Sequence, residues 1–298
     1  MLDIVVRPER PVASGTDVPG TIIFRAGGSA ANTCRAFVQL GGAATLIAAV
    51  GDDGWGRRLV AALRAEGVQV RSPRVDAASA RLVALISSRG ERSFVTQRGA
   101  ADRLRPEHVD GSWLRAAHVL HLPAYSLLVE PLSAAALAAC GYARQAEALV
   151  AVDLASRQPL LDLGLTVAAE RIAAAAPDIL FANHDEAAAL AGPRGAEGLL
   201  RLAPVVVIKE GQAGCRVIWR PGQGADVREI DIATTPVAAA DTTGAGDAFD
   251  AGFLYHLAVT SAAGPPHTRR ALDLRRAAVL GHRAAADLLT KPRPSLAV

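Results

Sequence analysis

The residues best suited to chemistry lie in one run of twelve, from Asp241 to Gly252, with the sequence DTTGAGDAFDAG. Gly244, Ala245 and Gly246 let the backbone approach a ligand closely, and the apolar pattern after them predicts a helix that starts there. The free N–H groups of that helix N-terminus would face an anion, for which a phosphoryl group is the natural choice.

Asp247 follows these small residues directly. A carboxylate beside an anion site repels phosphate, so we expect Asp247 to act as a base that takes the proton from a hydroxyl attacking the phosphoryl group. The alternative is an ordinary glycine-rich helix start whose acidic residue favours the helix dipole. That alternative would explain a lone Gly-Ala-Gly-Asp, but it explains the whole run of twelve less well.

A second glycine-rich motif, GGSAAN, covers Gly27 to Asn32. Its glycines allow close backbone approach to a ligand, and Ser29 can cap the helix that follows. Asn32 lies in the first turn of that helix and projects toward the same end. A plain first-turn polar residue is the alternative interpretation of Asn32.

The two motifs together resemble the signatures of the ribokinase-like (PfkB-type) sugar and nucleoside kinases. DTTGAGDAF resembles the second signature, and GGSAAN, with the glycine-rich segments at 40–42 and 50–56, is similar to the first. The resemblance extends from Asp3 to about Ala286. It implies that Asp247 is the catalytic base and that the backbone of residues 244–246 forms an anion hole.

On the sugar side, the resemblance implies that Gly27 and Gly28 bring main chain against the sugar and that Asn32 hydrogen-bonds its hydroxyls. It also matches Asp3, near the start of the first strand, with the family's sugar-binding aspartate, for which a solvated terminal acid is the alternative. Arg98 lies in a stretch similar to one that lines the acceptor pocket, where it could bind a hydroxyl or a carboxylate. A surface arginine explains Arg98 equally simply.

On the nucleotide side, Asn183 and Glu186 match the family's NxxE element, which organises Mg²⁺ and its waters around the ATP phosphates. A capping box explains the same spacing without a metal, and both can hold at once. Lys209, Gly211 and Gly214 resemble a turn near the ATP phosphates or ribose, although a structural hairpin explains them nearly as well.

The resemblance also matches Asp241 and the Thr243 carbonyl with positions that hold a monovalent cation in many relatives. We therefore expect ATP and Mg²⁺ as cofactors, with K⁺ as a further candidate.

These motifs must be positioned by alternating strands and helices. Strand-length apolar runs alternate with helical patterns, which predicts an α/β fold with a doubly wound, mostly parallel central sheet flanked by helices. We expect a single domain over 1–298, with a small β lid built from about 11–25 and 68–98. The turn at 88–91 indicates a hairpin within the lid. Exposed lid strands favour a homodimer in which two lids pair edge to edge. The predicted main strands are Thr45–Val50, Val119–Leu122, Leu149–Asp153, Ile179–Asn183 and Val205–Lys209.

Composition narrows the class of protein. Apolar residues make up 51% of the 298, charged residues 20%, and the net charge is only +3 with scattered basic residues. No nucleic-acid or membrane partner is therefore expected, and the cytoplasm is the default compartment. The family's opening half-strand, with its Gly-Asp pair, is absent before Asp3, so we expect a late start-codon assignment or a truncation that weakens sugar binding.

The resemblance implies ATP-dependent phosphorylation of a hydroxyl of a small sugar, as in ribokinases, fructokinases or 2-keto-3-deoxygluconate kinases. A nucleoside kinase of the same family, or a sensor with the kinase fold and no turnover, is the alternative. The aromatic content of 4% favours a sugar pocket over an adenosine pocket walled by rings. A dehydrogenase is disfavoured, because GGS lacks the spacing of a dinucleotide-binding turn.

Overall fold

The computed structural model describes residues 1–87, 92–222, 224–239, 241–260, 271–291 and 294–296. Its strands are β1 Leu2–Pro8, β2 Gly20–Ala26, β3 Thr45–Ile47, β4 Val50–Gly51, β5 Gln69–Arg71, β6 Arg74–Val75, β7 Arg81–Ile86, β8 Arg92–Gln97, β9 Val119–Pro123, β10 Leu149–Asp153, β11 Ile179–Asn183, β12 Val205–Lys209, β13 Cys215–Trp219 and β14 Arg228–Ile232. The hairpin turn predicted at 88–91 lies outside the described residues.

The helices alternate with these strands, as the sequence predicts. They are α1 Ser29–Gln39, α2 Gly54–Ala65, α3 Leu132–Gln145, α4 Arg157–Leu163, α5 Leu165–Ala174, α6 His184–Ala191, α7 Ala245–Val259 and α8 Ala271–Thr290. Short 3₁₀ helices cover Gly99–Arg103, Pro106–His108, Gly111–Leu114, Ala124–Leu127, Gly192–Arg201 and Gly211–Ala213. Within the part of the chain that the structure describes, no helix is both long and apolar enough to cross a membrane.

The main sheet has six strands in the order β14-β13-β12-β11-β10-β9. Strands β9 to β12 run parallel, and β13 and β14 add antiparallel to the edge. The parallel strands are buried on both faces, which explains their continuous apolar sequences. Val150 and Val152 pack into the core with α3, α5 and α6, whereas Ala151 packs on the opposite face with α7 and α8. The α/β prediction is confirmed.

Helix α7, which carries the Asp247 motif, is fixed by close packing against α8. A Cβ on Gly252 would lie 2.6 Å from the Leu280 carbonyl oxygen, and one on Gly281 would lie 2.8 Å from the Phe249 carbonyl oxygen. Both positions therefore require glycine to let the helix backbones approach. This packing sets where the N-terminus of α7 points over the sheet.

A second sheet, here called the small sheet, has the order β2-β1-β7-β8. The strands that form it differ from those of the predicted lid, because β1 lies in the middle of the sheet. Strand β1 runs antiparallel to β2 and parallel to β7. Residues within 68–80 instead form β5 and β6, which pair with β3 and β4. The predicted strand Thr45–Val50 is divided into β3 and β4, which pair with β5 and β6 respectively. Pro73, between β5 and β6, has no N–H and therefore interrupts the hydrogen bonding between the two chains of strands.

Candidate active site

The N-terminus of α7 begins at Ala245, after Gly244 in the left-handed region with φ of 78°. Ala245 N–H donates to the Thr242 carbonyl at 3.2 Å, so this amide already takes part in a turn. The anion hole was predicted from the amides of Gly244, Ala245 and Gly246. The Ala245 amide therefore differs from the prediction, because it is already hydrogen-bonded within the protein. Gly246 and Asp247 lie in the first turn, where N–H groups lack acceptors within the helix and remain directed toward a ligand.

Asp247 is half-buried between α7 and the start of α1. Ser29 Oγ donates to its Oδ1 at 2.7 Å, and Asn32 Nδ2 donates to its Oδ2 at 2.8 Å. Burial raises the pKa of Asp247, while the hydrogen bonds from Ser29 and Asn32 oppose that shift. A carboxylate with a raised pKa that faces a helix N-terminus has the properties of a general base.

In the GGSAAN motif, the side chain of Ser29 has a different role from the one predicted. Gly28, with φ of 104°, is the N-cap of α1, and the Ser29 side chain contacts Asp247 instead of capping the helix. Asn32 is oriented by Arg35, which donates to its Oδ1 at 3.1 Å and leaves the amide nitrogen toward Asp247. Arg35 was not predicted from the sequence, although it lies three residues after Asn32, about one turn along the same helix.

Three of the predicted sugar-binding residues, Asp3, Gly27 and Gly28, lie together at one end of strands β1 and β2. A Cβ on Gly27 would overlap the Asp3 carboxyl group, so this position admits only glycine while Asp3 stays there. Asp3 pairs with Arg25 across β1 and β2, close to Gly27. Asp3, Gly27 and Gly28 thus meet near Asn32, which is consistent with one shared pocket.

Arg98 follows β8 and lies over the ring of Tyr125, with its guanidinium carbon 4.3 Å from the ring centre. Its Nε donates to Asp102 at 2.6 Å. Tyr125 is half-buried, and burial raises the pKa of its hydroxyl, a shift that the nearby Ser29 side chain opposes. A continuous set of contacts therefore connects the small sheet to Asp247 through Tyr125 and Ser29.

Lys209, at the end of β12, lies beneath the start of α7. Its Nζ donates to Asp153 Oδ1 and to Asp250 Oδ1, both at 3.0 Å. Burial alone would lower the pKa of Lys209, but the two carboxylates outweigh it and raise the pKa. The Nζ also lies 3.4 Å from where a Cβ on Gly246 would be, which places the ammonium beside the predicted anion hole.

Asn183 and Glu186 form a capping box at the start of α6. Glu186 N–H donates to Asn183 Oδ1 and Asn183 N–H donates to Glu186 Oε2, both at 2.9 Å. Burial, with a further contribution from Asp153, raises the pKa of Glu186 to about 7. A buried carboxylate with a raised pKa is suited to meeting a cation or its waters.

A cleft of about 410 Å³ opens where β11 and β12 end, with Gly211 in its wall. Gly211 has φ of 59°, and no atom lies within 4 Å of a Cβ built on it. Gly214 has a structural reason for its identity, since a Cβ there would overlap the Ile232 carbonyl oxygen of β14. The cleft is lined by Asn183, His184, Asp185, Lys209, Glu210, Gly211 and Ala213.

Asp241 is held by protein groups on both carboxylate oxygens. Arg25 Nη1 lies 2.8 Å from Oδ2, and Thr243 donates its N–H and its hydroxyl to Oδ1. A monovalent cation at this side chain would have to displace or share the arginine. Among the described residues, no cluster of three or more His, Cys, Asp or Glu side chains could by itself hold a metal ion.

The whole chain matches a known family model. The model of the pfkB family carbohydrate kinases matches residues 1–297. A probable fructokinase-4 of Arabidopsis thaliana is 32% identical over 260 residues, which cover 80% of this chain and 76% of that protein. A fructokinase of Solanum tuberosum is 30% identical over 254 residues, covering 80% of this chain and 74% of that protein.

Solved structures share the fold. An adenosine kinase from Sinorhizobium meliloti superposes with a TM-score of 0.80 at 24% identity and covers 99% of this chain and 93% of its own. A fructokinase from Vibrio cholerae gives 0.75 at 22% identity, with 98% and 92% covered.

The fold and the family match identify a ribokinase-like sugar kinase, a phosphotransferase that acts on an alcohol group. The chain belongs to the pfkB family of carbohydrate kinases.

Proposed function

We propose that this chain transfers the γ-phosphoryl group of ATP to a hydroxyl of a small sugar, and that fructose is the first acceptor to test. The observation that carries the proposal is the half-buried Asp247 carboxylate, fixed by Ser29 and Asn32 at the N-terminus of α7. Fructokinases are prominent among the similar proteins, and a solved fructokinase of the same fold is described with fructose and ADP bound.

The acceptor hydroxyl lies between Asp247 and the phosphoryl group in this proposal. Asp247 takes the hydroxyl proton as the oxygen attacks phosphorus, and the bond from phosphorus to the leaving oxygen of ADP breaks. The open amides at the start of α7 and the positive end of its dipole stabilise the charge that develops on the phosphoryl oxygens. Asp3, Asn32 and the backbone at Gly27 and Gly28 hold the sugar.

The nucleotide occupies the cleft at the ends of β11 and β12. Mg²⁺, when bound, neutralises phosphate charge, and Glu186 and Asn183 would hold it through its waters. The buried Glu186 carboxyl, which keeps Oε1 outside the capping box, is consistent with such a role. Lys209 faces the phosphates, and Gly211 shapes the nucleotide side. A putative ribokinase of the same fold from E. coli is described with ATP and Mg²⁺ bound.

An acceptor screen tests the proposal. ADP release is measured with fructose, ribose, 2-keto-3-deoxygluconate and adenosine, in potassium and in sodium buffers, against ATP without acceptor. We expect fructose to give the highest kcat/KM and the sugar-free rate to be far lower, because the acceptor completes the closed site. ADP release with adenosine but with none of the three sugars would show that the acceptor is a nucleoside. No release above the sugar-free rate with any acceptor would contradict a kinase function.

We also propose that the small sheet mediates a homodimer. Apolar side chains on one of its faces are exposed, among them Ile22 and Val95. Contiguous exposed apolar surface on a sheet is typical of an interface.

A further inference from the structure

A buried ionic cluster lies beneath the start of α7, and it includes Asp250, a residue of the run 241–252 for which the motif predicted no role. Asp250 has no exposed surface and lies one helical turn after Asp247. Lys209 Nζ bridges Asp250 and Asp153 with two contacts of 3.0 Å. His121 Nε2, from β9, lies 3.4 Å from the other oxygen of Asp250. Side chains from three strands and one helix thus converge on one point.

Stability does not account for this cluster. A carboxylate buried on a packed helix face is costly unless it is paired, and buried ion pairs seldom stabilise a fold more than apolar side chains of similar size do. The neighbours of Asp250 on α7 are apolar and buried, including Phe249 and Phe253. Burial, with the nearby charge of Asp153, raises the pKa of Asp250 to about 6, which reflects the cost of keeping it there.

The cluster fixes a positive charge next to the predicted anion hole. Lys209 Nζ lies 3.4 Å from the position that a Cβ on Gly246 would take. An ammonium group has three N–H donors, and within the described residues Asp153 and Asp250 accept from it. The donor that remains is close to the space above Gly246, where an anion would bind.

We infer that Asp250, together with Asp153, is a positioning residue for phosphoryl transfer, because the two carboxylates hold the Lys209 ammonium where it meets the transferred phosphoryl group above Gly246. The inference rests on the proposed function, since it places a phosphoryl group at the start of α7. Lys209 touches the reacting group, whereas Asp250 acts through Lys209. Without Asp250 the ammonium keeps one carboxylate partner, so it can swing away from the transfer position.

Kinetics of three variants test the inference. Asp250→Asn keeps the size of the side chain and an acceptor oxygen, and we expect it to lower kcat by about 10–100-fold, because small misplacements of a reacting group cost that much. The KM for the sugar should stay within about twofold, since Asp250 acts through Lys209 on the phosphoryl group and not on the sugar. Lys209→Met should lower kcat at least as much, and the double variant should equal Lys209→Met, because Asp250 acts only through Lys209.

The matched control is Asp231→Asn, which removes an equivalent carboxylate from an exposed pair with Arg216 on the sheet edge. It should leave kcat unchanged. Turnover of Asp250→Asn equal to the wild-type value would overturn the inference. Additive losses in the double variant would also overturn it, as would a loss of kcat no larger than the loss of folded protein measured by circular dichroism.

A binding measurement separates this inference from the proposed function. The affinities of a non-hydrolysable ATP analogue and of ADP are measured by calorimetry for the wild type, Asp250→Asn and Lys209→Met. We expect both variants to lose affinity for the analogue more than for ADP, because only the analogue carries the γ-phosphoryl group. A wild type without turnover would contradict only the proposed function. Equal losses of affinity for the analogue and for ADP would contradict the role of Lys209 and Asp250.

Discussion

In the proposed mechanism Asp247 is the base, and its replacement gives the most direct prediction. Asp247→Asn keeps the hydrogen bond from Asn32 to a carbonyl oxygen but cannot accept a proton from the sugar. We expect kcat to fall by about 10²–10⁴-fold, the usual contribution of a general base. Initial rates of ADP release measure the effect, and calorimetry should show nucleotide affinity unchanged. A variant with near wild-type turnover would remove Asp247 from this role.

Ser29 offers a prediction on pH dependence. Asp247 works as a base only when it is deprotonated, so activity is lost as the pH falls through its pKa, which burial raises. The Ser29 hydroxyl opposes that rise through its 2.7 Å hydrogen bond. Ser29→Ala should therefore move the acid limb of the kcat profile to higher pH.

The control for Ser29→Ala is Thr16→Ala, which removes an exposed hydroxyl that bonds only the Ala13 carbonyl. This variant should keep the wild-type profile. An acid limb that does not move, or that moves to lower pH, contradicts the proposed effect of Ser29 on Asp247.

The residues of the two glycine-rich motifs could be proposed from the sequence because each motif is a short continuous segment with a recognisable pattern. Gly244 to Asp247 and Gly27 to Asn32 each lie within one short stretch, so residue type and spacing suffice. The Lys209 cluster could not be predicted in this way, because Asp153 and Asp250 are far from Lys209 in sequence and only the sheet brings them together. Their signal was weaker: an acid at the end of a buried strand and one within an apolar helix.

At the scale of elements, the start of α6 allows a test of its cap. Asn183 Oδ1 accepts the Glu186 N–H, which has no partner within the helix. Asn183→Ala should lower the free energy of unfolding by about 1 kcal/mol, whereas Asn183→Ser, which can still cap, should recover most of it. Urea unfolding of the protein without nucleotide measures this. Equal stability of the alanine and serine variants would show that the cap contributes nothing.

The alternation of strands and helices was predictable because strands buried on both faces have continuous apolar sequences. The small sheet was harder to predict. The sequence did not assign strand β1 to either sheet, and it lies between β2 and β7, a placement set by long-range pairing. Short polar strands such as β5 and β6 have no periodicity that distinguishes their partners, so the sequence could not separate them from the predicted lid.

Charge also connects elements that are distant in sequence. Arg25 on β2 pairs with Asp241, just before the catalytic loop, at 2.8 Å. A displacement of the small sheet would therefore act on the loop that carries Thr243 and Gly244. The same sheet contributes Asp3 to the predicted sugar pocket.

At the scale of the whole molecule, the outer face of the small sheet predicts assembly. The strand register places Ile22, Leu85 and Val95 on the face opposite Asp3, and they are 59%, 36% and 73% exposed. Exposed apolar side chains of this kind on neighbouring strands are typically covered by a partner. Because β8 is also an edge strand of this sheet, a second copy could pair with it, whereas the β2 edge already accepts a hydrogen bond from Leu296 N–H at the Phe24 carbonyl.

We therefore expect a dimer in solution, and Val95→Lys should dissociate it, since a buried ammonium without a partner is costly at an interface. Size-exclusion chromatography with light scattering measures the mass. The control Thr96→Lys places the same charge on the same strand but on the opposite face of the sheet. If the wild type is monomeric across the concentration range, or if Thr96→Lys dissociates it equally, the outer face is not the interface. Because β1 and β2 also carry Asp3 and Arg25, dissociation should raise the KM for the sugar as well.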